Sequence, residues 1–299
     1  MAASESAIAG VAVAISKRRS ESAGRRALRR FIHHRGALIG LGILAVFSIM
    51  AVFAPAFSWK DPNLTNTGIQ YTPPNSEFLL GADRLGRDLW ARLLYAGRVS
   101  LSVGIAAAFV ATGIGLLLGL IAGMFGGVID TVIMRTTDAV LAIPTLIAIA
   151  IVVGIVGTGL EIVVLVIGLF YWTEAARVVR AVVLSLREQE FVTAARALGA
   201  RNMWIIRRHL LFHALAPLTV TGTFMVAIAL LTEATLSFLG IGVKPPTSSW
   251  GNMLYDAQQL FILRDHPWYW IPPGVAIFVA VLAVNLVGDG LRDALDPHG

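Results

Sequence analysis

The sequence predicts an all-α polytopic membrane protein with six transmembrane helices. Of its 299 residues, 57% are hydrophobic and only 14% are charged, whereas a soluble domain carries about a quarter charged residues. The mean hydropathy is +0.75, and apolar runs long enough to cross about 30 Å of hydrocarbon recur along the chain. The net charge of +6 does not indicate a nucleic-acid partner, because the basic residues lie beside the apolar runs instead of forming one patch.

Basic residues crowd into residues 1–36, just ahead of the first apolar run. Basic residues that flank a span favour the cytoplasm, so we expect these residues to be a disordered basic arm on the cytoplasmic side. An even number of spans then places the tail, residues 291–299, in the cytoplasm as well. The first fifteen residues are mildly apolar, but the charges follow them, which is the wrong order for a cleavable signal peptide.

The first predicted span covers residues 37–57, which contain no charged residue. Residues 58–98 are polar and rich in Pro, Asn and Thr, and the span count places them outside. Over Asp83–Arg98, leucines recur at rough helical spacing, which predicts an amphipathic helix at the membrane interface. The arginines of this segment oppose an external position, but the parity of the later spans outweighs them.

Residues 99–290 are predicted to form the core of the protein. Spans 2 to 6 cover residues 99–124, 128–155, 162–179, 214–239 and 271–287. Span 2 is dense in small residues, which indicates close packing of helix backbones. Pro144 predicts a kink in span 3. Between spans 5 and 6, the residues Trp250, Trp268 and Trp270 are typical of an interfacial belt.

One ionisable residue, Glu233, falls well inside span 5. A charge within a span is costly, so such a residue is a functional hypothesis by default. Glu233 either lines a translocation path or is a structural group bonded to a nearby hydroxyl such as that of Thr232, Thr235 or Ser237. The sequence leaves both alternatives open.

The longest charged, helix-forming segment between two apolar regions runs from Phe191 to Pro217. Gly199 interrupts it, and because glycine costs about 1 kcal/mol relative to alanine inside a helix, this residue predicts a bend or a C-terminal cap. Two short helices joined at a glycine form a protruding surface that another protein could bind. A solvated loop lying on anionic headgroups is the alternative.

The run TAARALGA, residues 193–200, resembles the EAA loop of ABC-transporter importer permeases, whose consensus is Glu-Ala-Ala, three residues and then Gly. Ala194, Ala195 and Gly199 match, Thr193 replaces the glutamate, and Phe212 stands where a proline usually follows. Three further stretches resemble the C-type permease subunit of dipeptide, oligopeptide and nickel importers. They are GADRLGRDLWARLLYAGRVSL (81–101), LSFLGIGVKPPTSSWG (236–251) and NLVGDGLRDALDP (285–297).

This resemblance implies a membrane subunit of an ATP-driven importer of di- or oligopeptides or similar small solutes, working by alternating access in a bacterial or archaeal plasma (inner) membrane. Import of nickel or another non-peptide solute is one alternative, and a channel or secondary transporter is another. The implied partners are a second permease of related fold, one or two cytoplasmic ABC ATPases and an external substrate-binding protein. ATPase coupling would lie in a loop over about residues 188–212, at Thr193, Ala194, Ala195, Leu198, Gly199, Ala200 and Arg201.

The sequence predicts no catalytic, cofactor or metal site in this chain. It contains no phosphate-binding glycine loop followed by lysine and a hydroxyl residue, so ATP and Mg would be bound by the partner ATPases. The lack of cysteine excludes thiol catalysis and cysteine-ligated metals. His209 and His213 have the i, i+4 spacing of a metal site, but no acidic residue follows at the spacing of a zinc peptidase. We therefore expect a non-catalytic subunit.

Overall fold

The computed structural model describes residues 23–65, 67 and 70–296. Within these residues the secondary structure is helical, apart from an isolated β-bridge between Ala82 and Asp88. The helices are α1 (Ala23–His33), α2 (Arg35–Val52), α3 (Ala54–Phe57), α4 (Leu89–Phe125), α5 (Gly127–Leu141), α6 (Thr145–Val156), α7 (Leu160–Arg187), α8 (Glu190–Ala197), α9 (Asn202–Ile205), α10 (Leu211–Phe238), α11 (Trp250–Asp256), α12 (Leu260–Asp265) and α13 (Pro267–Leu295). A π-helical turn, Ile206–Leu210, joins α9 to α10.

Five of the described helices are long and apolar enough to cross a membrane, and the bent pair α5–α6 brings the number to six if it counts as one span. The predicted all-α membrane fold is therefore confirmed. The five helices are α2, α4, α7, the continuous stretch Asn202–Phe238 and α13. Their bounds differ from the predicted spans, chiefly because α4, α7 and α13 extend beyond the apolar runs.

The most extensive helix–helix contact among the described residues is that of α4 with α7. Glycines at i, i+4 spacing on α4 make it possible: a Cβ on Gly115 would lie 2.5 Å from the Cβ of Ala175, and one on Gly119 would lie 2.7 Å from the carbonyl oxygen of Ala176. Distances this short leave no room for a methyl group, so the backbones touch at these positions. The close packing predicted from the small residues of span 2 is confirmed.

The third predicted span is broken at Pro144, where α5 and α6 meet at 87°. Proline lacks an N–H and its ring clashes with the preceding turn, which ends α5 before it. The predicted kink is confirmed, and it is sharp enough to make two helices. Ion pairs hold α5 to α7: Arg177 Nη2 lies 2.6 Å from Asp138 Oδ1, and Arg180 Nη2 lies 2.6 Å from Asp130 Oδ2.

The two ends of the described chain meet at one end of the bundle. Arg30 Nη1 donates to the carbonyl oxygen of Asp296 at 2.9 Å, and His34 Nε2 lies 3.3 Å from Asp293 Oδ2. Residues 188–210, which we call the Gly199 loop, lie at this same end. Arg98 in the first turns of α4 donates to the carbonyl of Val52 at the end of α2, so the two helices run in opposite directions and α4 ends on the side where α2 begins. Arg187 at the end of α7 donates to the carbonyl of Gly123 near the end of α4. We call this end of the bundle the Gly199 end and the opposite end of the bundle the Asp83 end.

The described parts of the N-terminal arm and of the tail are helical up to Leu295. Residues 1–22 and 297–299 lie outside the described residues, but Ala23–His33 forms α1 instead of continuing a disordered arm. At the other terminus α13 continues to Leu295, past the predicted end of span 6 at residue 287. Both segments are helical because α1 packs against the last turns of α13.

The Asp83 end differs from the interfacial helix expected over Asp83–Arg98. Residues 83–88 form a turn, and Asp88 caps α4 by accepting a hydrogen bond from the N–H of Ala91 at 2.8 Å. Residues 89–98 are the first turns of α4. Leu89 and Leu94 are buried inside the protein, so the apolar spacing of this segment marks a packed face and not a membrane-facing one.

A buried ion network fixes the turn before α4. Asp83 accepts hydrogen bonds from the N–H groups of Leu85 and Arg87 at 2.8 and 2.9 Å, and its Oδ2 lies 2.5 Å from Arg87 Nε. On α11, Asp256 Oδ2 lies 3.3 Å from Arg87 Nη2 and 3.8 Å from Arg92 Nη2. Since these arginines are buried, the network ties α11 to the start of α4, and removing one partner would leave an uncompensated charge.

Candidate functional site

Gly199 ends α8 through a Schellman motif. The N–H of Ala200 donates to the carbonyl of Ala195 at 3.0 Å, and the N–H of Gly199 donates to the carbonyl of Arg196 at 2.9 Å. Gly199 has φ +85°, which glycine adopts without strain. A Cβ there would meet no neighbouring atom within 4 Å, so the backbone angle, and not space, requires glycine. The predicted bend at Gly199 is confirmed.

Beyond the bend, the loop is continuous with a membrane-crossing helix. Arg201 precedes α9 with extended backbone angles, and α9 passes through the π-helical turn into α10. Asn202–Phe238 is therefore a single helical stretch of 37 residues. A π-turn inserted in an α-helix is frequent at functional positions.

The inner face of the Gly199 loop rests on the ends of α4 and α7. Val192, Ile205 and Leu210 are buried there, in one cluster with Met124 of α4 and Val183 of α7. Ala195 and Ala200 are half-buried and pack against the same cluster. The loop is thus a folded unit fixed on a packed base and not a free surface segment.

The outer face of the loop presents an apolar tip. Leu198, next to the bend, is 89% exposed, and Met203 and Trp204 are also exposed. Among the seven predicted coupling residues, the exposed ones are Thr193, Ala194, Leu198, Gly199 and Arg201. Ala195 and Ala200 turn towards the core instead. Met203 and Trp204 were not among the predicted residues, although two large apolar side chains in a basic segment are a signal for such a surface.

His209 and His213 take part in an aromatic cluster. The ring of Phe191 on α8 lies 5.6 Å from that of His209 and 6.2 Å from that of His213, and Trp204 lies 5.4 Å from His209. His213 Nδ1 lies 2.9 Å from the carbonyl oxygen of His209. The i, i+4 spacing puts both histidine rings on the face that contacts Phe191, and these ring contacts pack α8 against the start of α10.

Glu233 lies near the other end of α10 and is fully buried. Its Oε1 accepts a hydrogen bond from Ser237 Oγ at 2.7 Å, and its Oε2 accepts one from Ser100 Oγ of α4 at 3.0 Å. Each serine oxygen in turn accepts a backbone N–H at 3.1 Å, from Val243 for Ser237 and from Trp250 for Ser100. The carboxylate thus orients two hydroxyls that hold the segment following α10.

The segment between α10 and α11, together with the first turn of α11, packs directly on α10. A Cβ on Gly242 would lie 2.6 Å from the nitrogen of Ser237, and one on Gly251 would lie 2.5 Å from the carbonyl oxygen of Ala234. Trp250 is buried, and its Nε1 donates to the carbonyl of Leu93 at 3.2 Å. The interfacial-belt interpretation is therefore wrong for Trp250, which is a core residue that joins α11 to α4.

An open groove runs along one side of the bundle between α2, α4 and α10. Its lining is mostly apolar and includes Ile105 and Phe109, which are both exposed. The threonine hydroxyls in it are satisfied by their own helices, as in Thr219 to the carbonyl of Leu215 at 2.7 Å. This face is uncovered in the chain taken alone.

Comparison with known proteins gives consistent results. A family model described as binding-protein-dependent transport system inner membrane component matches residues 115–298, and one for the N-terminal TM domain of oligopeptide transport permease C matches residues 22–74. A putative peptide transport system permease protein of Brucella abortus biovar 1 (strain 9-941) is 42% identical over 273 residues, 90% of each chain. The oligopeptide transport system permease protein OppC of Bacillus subtilis (strain 168) is 38% identical over 97% of this chain and 94% of its own.

Among solved structures, the MetNI methionine ABC transporter in an inward-facing conformation has a similar fold. The TM-score is 0.56 at 19% sequence identity, covering 68% of this chain and 95% of that one. At this identity the likeness supports the fold alone, whereas the family matches and the relatives extend over most of the chain. The chain belongs to the family of binding-protein-dependent transport system inner membrane components, and is a multi-pass inner-membrane permease of the peptide-transport ABC importers.

Proposed function

We propose that this chain is one of two permease subunits that form the pathway of an ATP-driven importer of di- or oligopeptides or similar small solutes, and that the Gly199 loop receives a cytoplasmic ATPase. The peptide assignment is supported by the relatives, which are named as peptide and oligopeptide permeases. The ATPase assignment is supported by one observation above all: an exposed apolar tip is held on a buried, packed base.

The exposure of Leu198 argues for a protein partner. A leucine that is 89% exposed at the apex of a folded loop gains nothing from the chain's own core. The half-buried Ala195 and Ala200 beneath it fix its position, so a partner can close over the tip without ordering it first. Arg201 beside it adds a positive charge that an acidic rim could pair with.

The other partners follow from the remaining surfaces. The groove between α2, α4 and α10 is the face proposed for the second permease, and the Asp83 end is the one proposed for the external binding protein. In this assignment residues 1–36 and the tail are cytoplasmic, because Arg30 and Asp296, near the two ends of the described chain, lie at the Gly199 end. The chain itself is non-catalytic, and the ATPases bind ATP and Mg. Nucleotide moves the alternating-access equilibrium only through its differential affinity for the two states.

A matched pair of leucine substitutions tests the ATPase assignment. Leu198→Asp should leave the thermal stability of the purified chain unchanged and should reduce co-purification of the ATPase subunits and peptide uptake in reconstituted vesicles. Leu260→Asp is the control for ATPase retention, which it should leave unchanged, since Leu260 is 81% exposed at the opposite end. Normal uptake and ATPase retention by Leu198→Asp would show that the loop is an ordinary surface segment.

A second experiment addresses substrate and transport class. Small molecules that co-purify with the assembled importer and its binding protein should be peptides, and a nickel ion in their place would support the non-peptide alternative. The chain reconstituted alone should neither transport nor hydrolyse ATP. Uptake by the single chain would favour a channel or secondary transporter.

A further inference from the structure

Helix α1 separates its apolar and basic side chains completely. Placed at 100° per residue, Ala27, Leu28, Phe31 and Ile32 fall on one side. The opposite side is entirely basic and consists of Arg25, Arg26, Arg29, Arg30 and His33. No acidic residue occurs in Ala23–His33, so the polar side carries a strong positive field.

Only part of the apolar side of α1 is covered by the rest of the described chain. Ala27 and Phe31 are half-buried where α1 packs on α13, but Leu28 is 59% exposed and Ile32 is 50% exposed. The helix is not free to turn these residues inwards, because Arg30 bonds to the carbonyl of Asp296 and thereby fixes its rotation. Two large apolar side chains are thus held at the surface beside an arginine cluster.

The position of α1 relative to the membrane follows from the chain itself. A single residue, His34, separates α1 from the membrane-crossing helix α2, whose outer face begins with the exposed residues Leu38 and Ile39. The exposed edge of α1 therefore lies at the boundary where the apolar surface of α2 begins. A helix with a large apolar–basic separation at this level lies in the membrane interface, with arginines at the headgroups.

We propose that α1 is an interfacial helix that binds anionic phospholipid. Arg26, Arg29, Arg30 and His33 line one shallow concavity, in which a lipid phosphate would meet several donors at once. Leu28 and Ile32 insert between the acyl chains beside it. Each arginine near an anionic surface strengthens attachment about fivefold. An acidic protein surface would match the charges but would leave the two apolar side chains without apolar neighbours.

Site-specific fluorescence in the full chain tests the proposal, since the protein contains no cysteine of its own. An environment-sensitive thiol dye is placed at Leu28→Cys on the apolar edge or at His33→Cys on the basic side. The labelled chain is reconstituted into vesicles of phosphatidylcholine, with or without phosphatidylglycerol. Quenching by nitroxide-bearing lipid should be stronger at Leu28→Cys, quenching by the neutral aqueous quencher acrylamide should be stronger at His33→Cys, and phosphatidylglycerol should increase the lipid quenching at Leu28→Cys. Equal quenching at the two positions would contradict the proposal.

Charge removal identifies the occupant. The double substitution Arg26→Gln with Arg29→Gln should abolish the effect of phosphatidylglycerol at Leu28→Cys, whereas Arg207→Gln with Arg208→Gln, which removes the same charge elsewhere at the Gly199 end, should leave it. The proposal fails if the α1 double variant responds to phosphatidylglycerol like the parent chain. It also fails if the dye becomes shielded only when ATPase subunits are added, because the occupant is then a protein.

Discussion

The carboxylate of Glu233 accepts a hydrogen bond from the hydroxyl of Ser100 at 3.0 Å, joining α10 to α4 across 133 positions in the sequence. Together with Ser237 it forms a buried relay, in which each hydroxyl donates to the carboxylate and accepts a backbone N–H from the segment after α10. Each serine hydroxyl accepts an N–H with its oxygen, and its own proton needs a separate acceptor. Glu233 provides that acceptor to both serines.

Removing the carboxylate should therefore loosen the segment from Val243 to Trp250. Glu233→Ala leaves two buried hydroxyl protons without an acceptor, at a cost of about 1–3 kcal/mol for each unsatisfied group. Glu233→Gln keeps one acceptor oxygen and should fall between the parent chain and Glu233→Ala. The measurement is thermal unfolding of the detergent-purified chain. Thr235→Ala is the control, because that hydroxyl bonds only within its own helix, to Leu231.

The outcome also separates the two roles considered for Glu233. If Glu233→Ala unfolds at the same temperature as the parent chain but abolishes uptake in the assembled importer, then the carboxylate acts on the translocated solute and not on the loop. A parallel loss of stability and uptake supports the structural role.

The glycines of α4 permit a comparison within one helix. Gly119→Ala places a methyl group 2.7 Å from the Cβ of Val179 on α7, and overpacking of this kind costs about 1–3 kcal/mol. Gly113→Ala adds the same atom where no neighbour lies within 4 Å, and should be neutral or stabilising by up to about 1 kcal/mol. Thermal unfolding of the two variants measures the difference. Equal stabilities would mean that α4 and α7 are not in contact at Gly119.

The positive φ of Gly199 makes a prediction about side-chain size. Because the space around it is open, Gly199→Ala and Gly199→Leu should be impaired to the same extent, by about 1–2 kcal/mol of local strain. Gly199→Asn should be milder, since asparagine tolerates this backbone angle. ATPase retention and uptake by the reconstituted importer report the effect, and Ser76→Leu at the opposite end is the control for ATPase retention. A graded loss with side-chain volume would instead indicate a tight contact at this position.

Labelling of single cysteines tests which end faces outwards. An impermeant thiol reagent added to intact cells should react with Ser76→Cys and Lys244→Cys, which are exposed at the Asp83 end, and should spare Arg201→Cys at the Gly199 end. Reaction at Arg201→Cys from outside would reverse the orientation predicted from the basic flanks.

Composition and hydropathy were sufficient for the fold class, but not for the start of α4. Residues 89–98 contain Arg92 and Arg98, which suggest solvent or the cytoplasm when they are counted as free charges. In the structure Arg92 lies in the ion network with Asp83, and Arg98 donates to the carbonyls that end α2, including that of Val52 at 2.6 Å. Charges with such partners do not act as topology signals, and only tertiary contacts show which arginines have them.

In the Gly199 loop the sequence indicates the bend but not the orientation of every residue. Gly199 is recognisable because glycine alone fits a left-handed position without strain. The inward direction of Ala195 depends on how α8 is rotated over α4 and α7, although Val192 and Ala195 share an i, i+3 face that hints at it. Of the two serines that donate to Glu233, Ser237 is among the hydroxyls named from the sequence. Ser100 could not be predicted, because it is brought near only by packing of α10 on α4.

The 37-residue helical stretch Asn202–Phe238, about 55 Å long, is held in place near both of its ends. Near its first residues it packs on the cluster beneath the Gly199 loop, and near its last residues it is bonded to α4 through Glu233 and Ser100. A displacement of the Gly199 loop must therefore either move the contacts at Glu233 or bend the helix. The helix bends most easily near Pro217, because the nitrogen of Pro217 donates no hydrogen bond to the helix. A residue with a backbone N–H at this position would make the helix more rigid, so a larger part of a displacement at one end would reach the other end.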